Sequence, residues 1–132
     1  NNEHPPPGLR PNFILSTIDL ALKEAAMYAV IQRYQFDLKA SEEINRQVQE
    51  GLVRVLDKAP GFVAYYWLDT GEGVGSSLSV FEDKAGAEKS VRLTAAFVRQ
   101  HLASLVGPPE ITQGEVRAHA QLELPVGYPS LW

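Results

Sequence analysis

Three aromatic residues in succession, Tyr65, Tyr66 and Trp67, bring two hydroxyl groups and an indole N–H into an otherwise apolar stretch. Successive side chains of a strand point to opposite faces of its sheet, so at least one of these polar atoms enters each layer. Such rings could form a stacking wall and a hydrogen-bond donor for a flat ligand. The other interpretation is packing in the core and in an interface between subunits.

Two serines and one histidine are the other candidates for a site. Ser77 and Ser79 interrupt an apolar strand, where they either line a pocket with small polar groups or leave room for bulky residues opposite. His101 follows Phe97 by one helical turn, at the edge of an apolar stripe. An imidazole titrates near neutral pH, which suits proton transfer, although a single histidine at such an edge is commonly structural or solvated.

The spacing of the remaining residues does not indicate a metal, phosphate or nucleophile site. The three histidines, His4, His101 and His119, lack the spacing of metal ligands. The absence of cysteine excludes disulfides, zinc–thiolate sites and thiol nucleophiles. The Gly-rich segment 71–75 does not open a helix, so it is a hairpin turn rather than a phosphate loop. We therefore expect no metal and no cofactor.

Composition narrows the class of protein further. The chain has 132 residues and 45% hydrophobic content, enough for one domain with its own core. A formal net charge of −4 gives no electrostatic footprint for nucleic acid. No run approaches the ~18 apolar residues of a membrane helix. We expect a cytoplasmic protein with no nucleic-acid or membrane partner.

Six elements are predicted to position these candidates. Strands are expected at 27–35, 62–70, 75–82 and 111–124, with helices at 41–59 and from 84 to the Gly-Pro-Pro stop at 107–109. Ser41 and Asp83 are the expected N-caps. Right-handed crossovers turn the order β-α-β-β-α-β into a ferredoxin-like α+β plait, a four-stranded antiparallel sheet with both helices on one face.

Each predicted helix carries one apolar stripe, and the last strand alternates. The first stripe consists of Ile44, Val48, Leu52, Val55 and Ala59, and the second of Ala87, Val91, Ala95, Val98, Leu102 and Leu105. In the last strand Val116, Ala118, Ala120 and Leu122 alternate with Glu115, Arg117, His119 and Gln121. The domain is expected at 27–121, after a Pro-rich tail and short helix at 1–26 and before a tail at 122–132.

Both faces of the central hairpin are apolar, although only one can meet the helices. An even-length turn would place Tyr65, Trp67 and Leu78 on one face, and Tyr66 and Phe81 on the other with the two serines. An odd-length turn would shift one strand by one residue. Either way one face would expose large apolar side chains, which soluble monomers rarely do. We expect a homodimer formed by sheet-to-sheet packing.

The element order is accompanied by two short motifs. Pro60, Gly61 and Phe62 lead into the aromatic strand, and the sequence VFED at 80–83 leads into the long helix. Together these features resemble the dimeric α/β-barrel superfamily, and within it the antibiotic biosynthesis monooxygenase (ABM) type, over residues 27–121. The resemblance implies a cavity between sheet and helices, where cofactor-independent members oxidise aromatic polyketides and related members bind or degrade haem.

The chain departs from the residues that carry activity in this type, which are a strand Asn, a Trp at the end of the third strand and a His on the following helix. Phe81 stands at the Trp position, and His101 lies several turns later than that His. The resemblance still implies a pocket, expected to be lined by Tyr66, Ser77, Ser79, Phe81, Phe97 and His101. Tyr66 and His101 are the candidate catalytic residues.

The resulting hypothesis is an ABM-like protein with a pocket for a small apolar or aromatic ligand. It would be a cofactor-independent oxygenase of aromatic or quinone-like compounds, or alternatively a non-catalytic ligand-binding or stress-associated protein. Haem chemistry is not expected, because His101 lies about 27 Å along the helix from Asp83. A porphyrin near Phe81 would be out of its reach.

Overall fold

The structure, a computed structural model, describes residues 26–122. Its four-stranded antiparallel sheet has the order β2-β3-β1-β4, with β1 at Tyr28–Gln35, β2 at Phe62–Asp69, β3 at Val74–Phe81 and β4 at Glu110–Glu115. Helix α2 spans Lys84–His101. Helix α1 follows a 3-10 turn at Leu38–Ala40 and comprises Ser41–Gln47, a π-helical segment Val48–Leu52 and Val53–Leu56. The predicted ferredoxin-like α+β plait is confirmed. The expected N-terminal helix and the C-terminal tail beyond residue 122 lie outside the described residues.

The turn between β2 and β3 decides which aromatic side chains face the helices. Asp69 pairs with Gly75, so an odd number of residues, 70–74, lies between these two paired positions. Tyr65 and Trp67 therefore share the helix-facing side with Ser77 and Ser79, and Tyr66 lies on the opposite side. The even-length turn that would have grouped Tyr66 with the serines is wrong.

The core lies between the sheet and both helices. Its two buried clusters centre on Ile44, Leu52 and Leu56 of α1, and on Val30 and Phe81 of the sheet. Phe62 also packs inward, because the register shifts between Phe62 and Ala64 at a bulge. Within the described residues, none of the helices is long and apolar enough to cross a membrane.

The buried stripe of α1 differs from the predicted one. Leu56 is fully buried, whereas Val55 is 38% exposed, and the helix ends at Leu56 rather than at residue 59. Ser41 is not the N-cap: it is the first helical residue, and its hydroxyl donates to the Asp69 carboxylate. Asp37 instead caps the preceding 3-10 turn, accepting a hydrogen bond from Lys39 N.

Helix α2 begins as predicted but buries a different stripe. The Asp83 carboxylate caps it by accepting from Gly86 N at 2.8 Å. Its buried face consists of Gly86, Ala87, Ser90, Thr94 and Phe97. The predicted stripe is thus rotated by about one residue, and Ala95 is exposed.

The last strand is shorter than its alternating pattern suggests. β4 ends at Glu115, and all of its residues are exposed. Glu115 pairs with Tyr28, the first residue of β1, so the neighbouring strand offers little beyond that point for β4 to pair with. One further bond, from Val116 N to Met27 O at 2.8 Å, closes the ladder. Residues 116–122 are not a strand.

Candidate functional site

The space between the sheet and the two helices is almost filled. A cavity of about 10 Å³ remains, room for one water molecule. It is lined by Tyr34, Ile44, Val48, Leu52, Tyr65, Trp67, Ser77, Thr94, Val98, Leu102 and Val106. Val48 and Leu52 belong to the π-helical segment of α1, a deviation that recurs at functional sites.

A larger groove adjoins this cavity between α2 and the β1–β4 edge of the sheet. Its volume is about 180 Å³, and it is lined by Gln32, Tyr34, Val91, Ala95, Val98, Arg99, Pro109 and Ile111. Tyr34 and Val98 line both spaces. We refer to the cavity and the groove together as the helix-side pocket.

A buried polar pair lies in the wall of this pocket. The Tyr34 hydroxyl donates to Gln32 Oε1 at 2.8 Å, and both side chains are at most 5% exposed. The Tyr34 oxygen then keeps its acceptor lone pairs, and the Gln32 amide NH2 remains a donor at the groove wall. The pair can therefore accept one hydrogen bond from a ligand and donate another to it.

The two tyrosines of the cavity are held in their neutral form. Burial raises the pKa of Tyr34 to about 12. Burial, and to a lesser extent the neighbouring Tyr34, also raises the pKa of Tyr65, against a smaller opposite effect from the Ser77 hydroxyl. Near pH 7 both side chains are hydrogen-bonding phenols, and neither is a base.

Trp67 forms the wall of the cavity at the end of β2. Its ring crosses Gly75 and reaches the rings of Tyr34 and Phe36, at centroid distances of 6.2 and 6.4 Å. A Cβ at Gly75 would lie 2.4 Å from Trp67 Cη2, so only glycine leaves room for the indole. Trp67 Nε1 donates to Asn45 Oδ1 at 2.8 Å.

The structure separates the six residues that were predicted to share a pocket. Only Ser77 lines the cavity. Ser79 and Phe81 are buried, and Phe81 packs with Ala87 in the core rather than at a cavity wall. Tyr66 is 62% exposed on the opposite face of the sheet, so its expected place in this pocket is wrong.

Phe97 and His101 lie together, but away from the pocket wall. Phe97 is buried against Gly51 of α1, where a Cβ would lie 2.7 Å from the ring. The His101 ring stacks on Phe97 at a centroid distance of 4.6 Å and is exposed. His101 is thus a surface residue in contact with the core, and it does not border the cavity or the groove.

Gln32, Tyr34 and Asn45 are site residues that the sequence alone does not single out. The pattern predicts only a strand around Gln32 and Tyr34 and only a helix around Asn45. The available signal was the inward position of Gln32 and Tyr34, two residues apart on a strand otherwise apolar on that face. Asn45 gave no such signal, because its partners lie more than 20 residues away in sequence.

The opposite face of the sheet carries a separate recess of about 340 Å³. It lies against Tyr66 and Leu78, with His119 of the segment after β4 at its border. Among residues 26–122, no group of three His, Cys, Asp or Glu side chains could hold a metal ion.

Comparison with known proteins finds likeness at the level of the fold. No family model matches the chain, and no curated protein matches it. A solved protein of unknown function from Nitrosomonas europaea is 20% identical, with a TM-score of 0.63 over 79% of this chain and 99% of that one. A putative antibiotic biosynthesis monooxygenase from the same organism is 11% identical, with a TM-score of 0.60 over 69% and 90%. A monooxygenase from Streptomyces coelicolor, solved with the ligand nanaomycin D, is 17% identical, with a TM-score of 0.57 over 76% and 96%. Such low identities establish the fold alone.

Proposed function

Because the chain has the fold of the ABM-like dimeric α/β-barrel proteins, we propose that it binds a small aromatic or quinone-like compound in the helix-side pocket and oxidises it without a resident cofactor. The observation that carries this proposal is the buried Gln32–Tyr34 pair at the wall of an otherwise largely apolar groove. A few fixed polar groups on apolar walls are typical of small-molecule sites. The likeness to a monooxygenase solved with a ligand supports it.

The size of the groove limits the ligand. An apolar cavity of ~150 Å³ is large enough for benzene, and the groove measures about 180 Å³. A compound with one ring therefore fits without rearrangement. A compound with two rings requires Val98 or Tyr34, which separate the groove from the cavity, to change position.

A non-catalytic ligand-binding or stress-associated role is the second candidate, and one observation favours it. The titratable side chains that line the cavity and the groove are Tyr34, Tyr65 and Arg99. Two are phenols with a raised pKa, and arginine stays protonated in proteins. None of the three is a general base near pH 7. Oxidation in this pocket therefore requires a substrate that loses its proton without help from one of these side chains.

Titration with hydroquinone, 1,4-naphthohydroquinone and haemin separates these functions. We expect hydroquinone to bind under argon at one molecule per chain, and to be consumed with oxygen in air faster than without protein. Tyr34→Phe should weaken binding about tenfold, because one hydrogen bond in a dry site is lost. Calorimetry and an oxygen electrode provide the measurements.

Tyr66→Phe is the matched control, since it removes the same hydroxyl from the opposite face. Saturable binding without oxygen uptake would select the non-catalytic role. No binding of either quinol would contradict the pocket. A saturable haem spectrum that is lost in His101→Ala would contradict the expectation that haem does not bind.

We also propose that two copies pack through the outer faces of their sheets. On that face Tyr66 is 62%, Leu68 64% and Ile31 46% exposed. Leu78 of β3, which is 36% exposed, pairs with both Tyr66 of β2 and Ile31 of β1 and joins these side chains into one apolar surface. Packing this surface against a second copy would remove several exposed apolar side chains from water at once. The apolar area buried in this way favours association.

Leu68→Asp is expected to convert this dimer to a monomer, because a charge would be buried at the interface. Light scattering at micromolar concentration should give about twice 14.6 kDa for the parent chain and 14.6 kDa for the variant. Leu38→Asp is the matched control: Leu38 is also exposed but lies on the 3-10 turn. A parent chain that is monomeric would contradict the proposed interface.

A further inference from the structure

A chain of polar contacts connects the end of β2 to the indole that borders the cavity. Asp69 Oδ2 accepts hydrogen bonds from the Ser41 hydroxyl and from Asn45 Nδ2, the latter at 3.0 Å. Asp69 Oδ1 accepts from Gly71 N at 2.8 Å. Asn45 Oδ1 in turn accepts from Trp67 Nε1 at 2.8 Å. Of these residues only Trp67 lines the helix-side pocket.

The direction of these bonds is fixed by the carboxylate. An ionised Asp69 can only accept, so Asn45 must turn its NH2 toward Asp69 and its oxygen toward the indole. We propose that Asp69 and Asn45 are positioning residues that hold Trp67 against the cavity, and thereby set the affinity of the pocket for an aromatic ligand. The inference about affinity rests on the proposed function, whereas the inference about position does not.

Trp67 needs such an anchor because the strand beneath it offers none. The ring lies over Gly75, which has no side chain to hold it, and its remaining aromatic contacts are with Tyr34 and Phe36. The hydrogen bond to Asn45 is therefore the directional contact that fixes the ring along the sheet. Since the cavity holds only about 10 Å³, a small shift of the indole changes its shape substantially.

Replacing Asp69 by Asn leaves the network with one donor too many. If the new amide oxygen accepts from Gly71 N, its NH2 faces the NH2 of Asn45. If Asn45 then turns over, its NH2 faces Trp67 Nε1, which is also a donor. If the new amide turns over instead, its NH2 meets Gly71 N. Every arrangement deprives one N–H group of its acceptor, and the one that turns the new amide over leaves only Gly71 N unpaired and keeps the bond from Trp67 Nε1 to Asn45 Oδ1. Removal of Asn45 is therefore the change that releases the indole.

Exchanging the two residues restores the count. In the double variant Asn45→Asp/Asp69→Asn, the amide introduced on β2 accepts from Gly71 N through its oxygen. Its NH2 donates to the carboxylate introduced on α1, whose other oxygen accepts from Trp67 Nε1. The N–H groups of Gly71, of the new amide and of Trp67 then each have an acceptor, and the Ser41 hydroxyl, which loses the Asp69 carboxylate, can accept from the new amide instead.

The test uses the fluorescence of Trp67 in a Trp132→Phe background, which leaves one tryptophan of the two in the chain. We expect Asn45→Ala to shift emission to longer wavelength, to increase quenching by acrylamide, and to weaken hydroquinone binding under argon about tenfold, because Trp67 Nε1 loses its acceptor. The exchange variant should keep the emission and quenching of the parent and bind hydroquinone within about threefold of the parent affinity. Glu43→Gln, which changes a carboxylate to an amide at an ion pair confined to α1, should alter neither the fluorescence nor the affinity.

Unchanged emission and quenching in a folded Asn45→Ala variant would overturn the positioning role, whatever the ligand does. A parent protein that fails to bind hydroquinone would overturn the proposed function and the inference about affinity, while fluorescence still decides the inference about position. If Asn45→Ala does not fold, Asp69→Ala provides the same fluorescence readout, because the Asn45 amide is then free to turn over. An exchange variant whose emission and quenching move as far as those of Asn45→Ala would also contradict the network.

Discussion

Replacing Phe81 by Ala is expected to lower the free energy of unfolding by about 3–5 kcal/mol, the range for deleting a buried aromatic ring. Phe81 is fully buried at the end of β3. Its ring meets that of Phe62 edge-on at a centroid distance of 5.8 Å and packs with Val30 and Ala87. Urea denaturation followed by circular dichroism measures the loss.

Phe81→Leu is the control, because it keeps most of the buried volume and should cost less than half as much. Its affinity for hydroquinone should match that of the parent, since Phe81 does not line the helix-side pocket. A Phe81→Ala protein of nearly parent stability that no longer bound the quinol would contradict this placement. It would favour the pocket predicted from the sequence.

The order and approximate bounds of the elements could be predicted because each is marked locally. Prolines and glycines separate the segments, and Asp83 caps α2 as its position indicated. The pairing of strands followed from the handedness of crossovers rather than from any one residue. Local signals and general topology rules thus sufficed for the plait.

The facing of side chains on the hairpin could not be fixed in the same way. It depends on whether the turn has an odd or even number of residues, and one residue more or less exchanges Tyr66 with Tyr65. The turn residues Gly71 and Gly73 adopt positive φ, at 84° and 81°. Glycines allow this geometry, but their positions do not determine at which residues the pairing of β2 with β3 ends.

The stripe of α2 was misplaced because its buried face is partly polar. Ser90 and Thr94 look like surface residues, yet they are 1% and 4% exposed. The Ser90 hydroxyl donates to the Ala87 carbonyl at 2.7 Å, which satisfies its polarity within the helix. A hydrophobic pattern cannot detect a polar residue that is buried in this manner.

The candidate site was the least predictable part. Tyr34 pairs with Gln32 two residues away, but Trp67 and Asn45 meet only after the chain has folded. The pocket predicted from the sequence centres on Phe81, at one end of β3, whereas the cavity forms around Ser77 and Trp67 toward the other end. Long-range hydrogen bonds of this kind leave no periodic signal in the sequence.

Leu56→Ala should lower the free energy of unfolding by about 2–5 kcal/mol, whereas Val55→Ala should change it by less than about 1 kcal/mol. Leu56 is fully buried and Val55 is 38% exposed. In a regular α-helix, Val55 rather than Leu56 would lie on the buried face. Each step of four residues rotates the side chain by about 40°, so that Leu56 would be turned about 120° away from Ile44.

The π-helical segment Val48–Leu52 explains the difference. Its wider turn takes up the extra rotation, so that Ile44, Leu52 and Leu56, each a multiple of four residues apart, share one buried face. Parallel urea titrations of the two alanine variants test this directly. If Val55→Ala proved the more destabilising, α1 would be a regular helix with the stripe its sequence predicts, and Leu56 would not lie on the buried face.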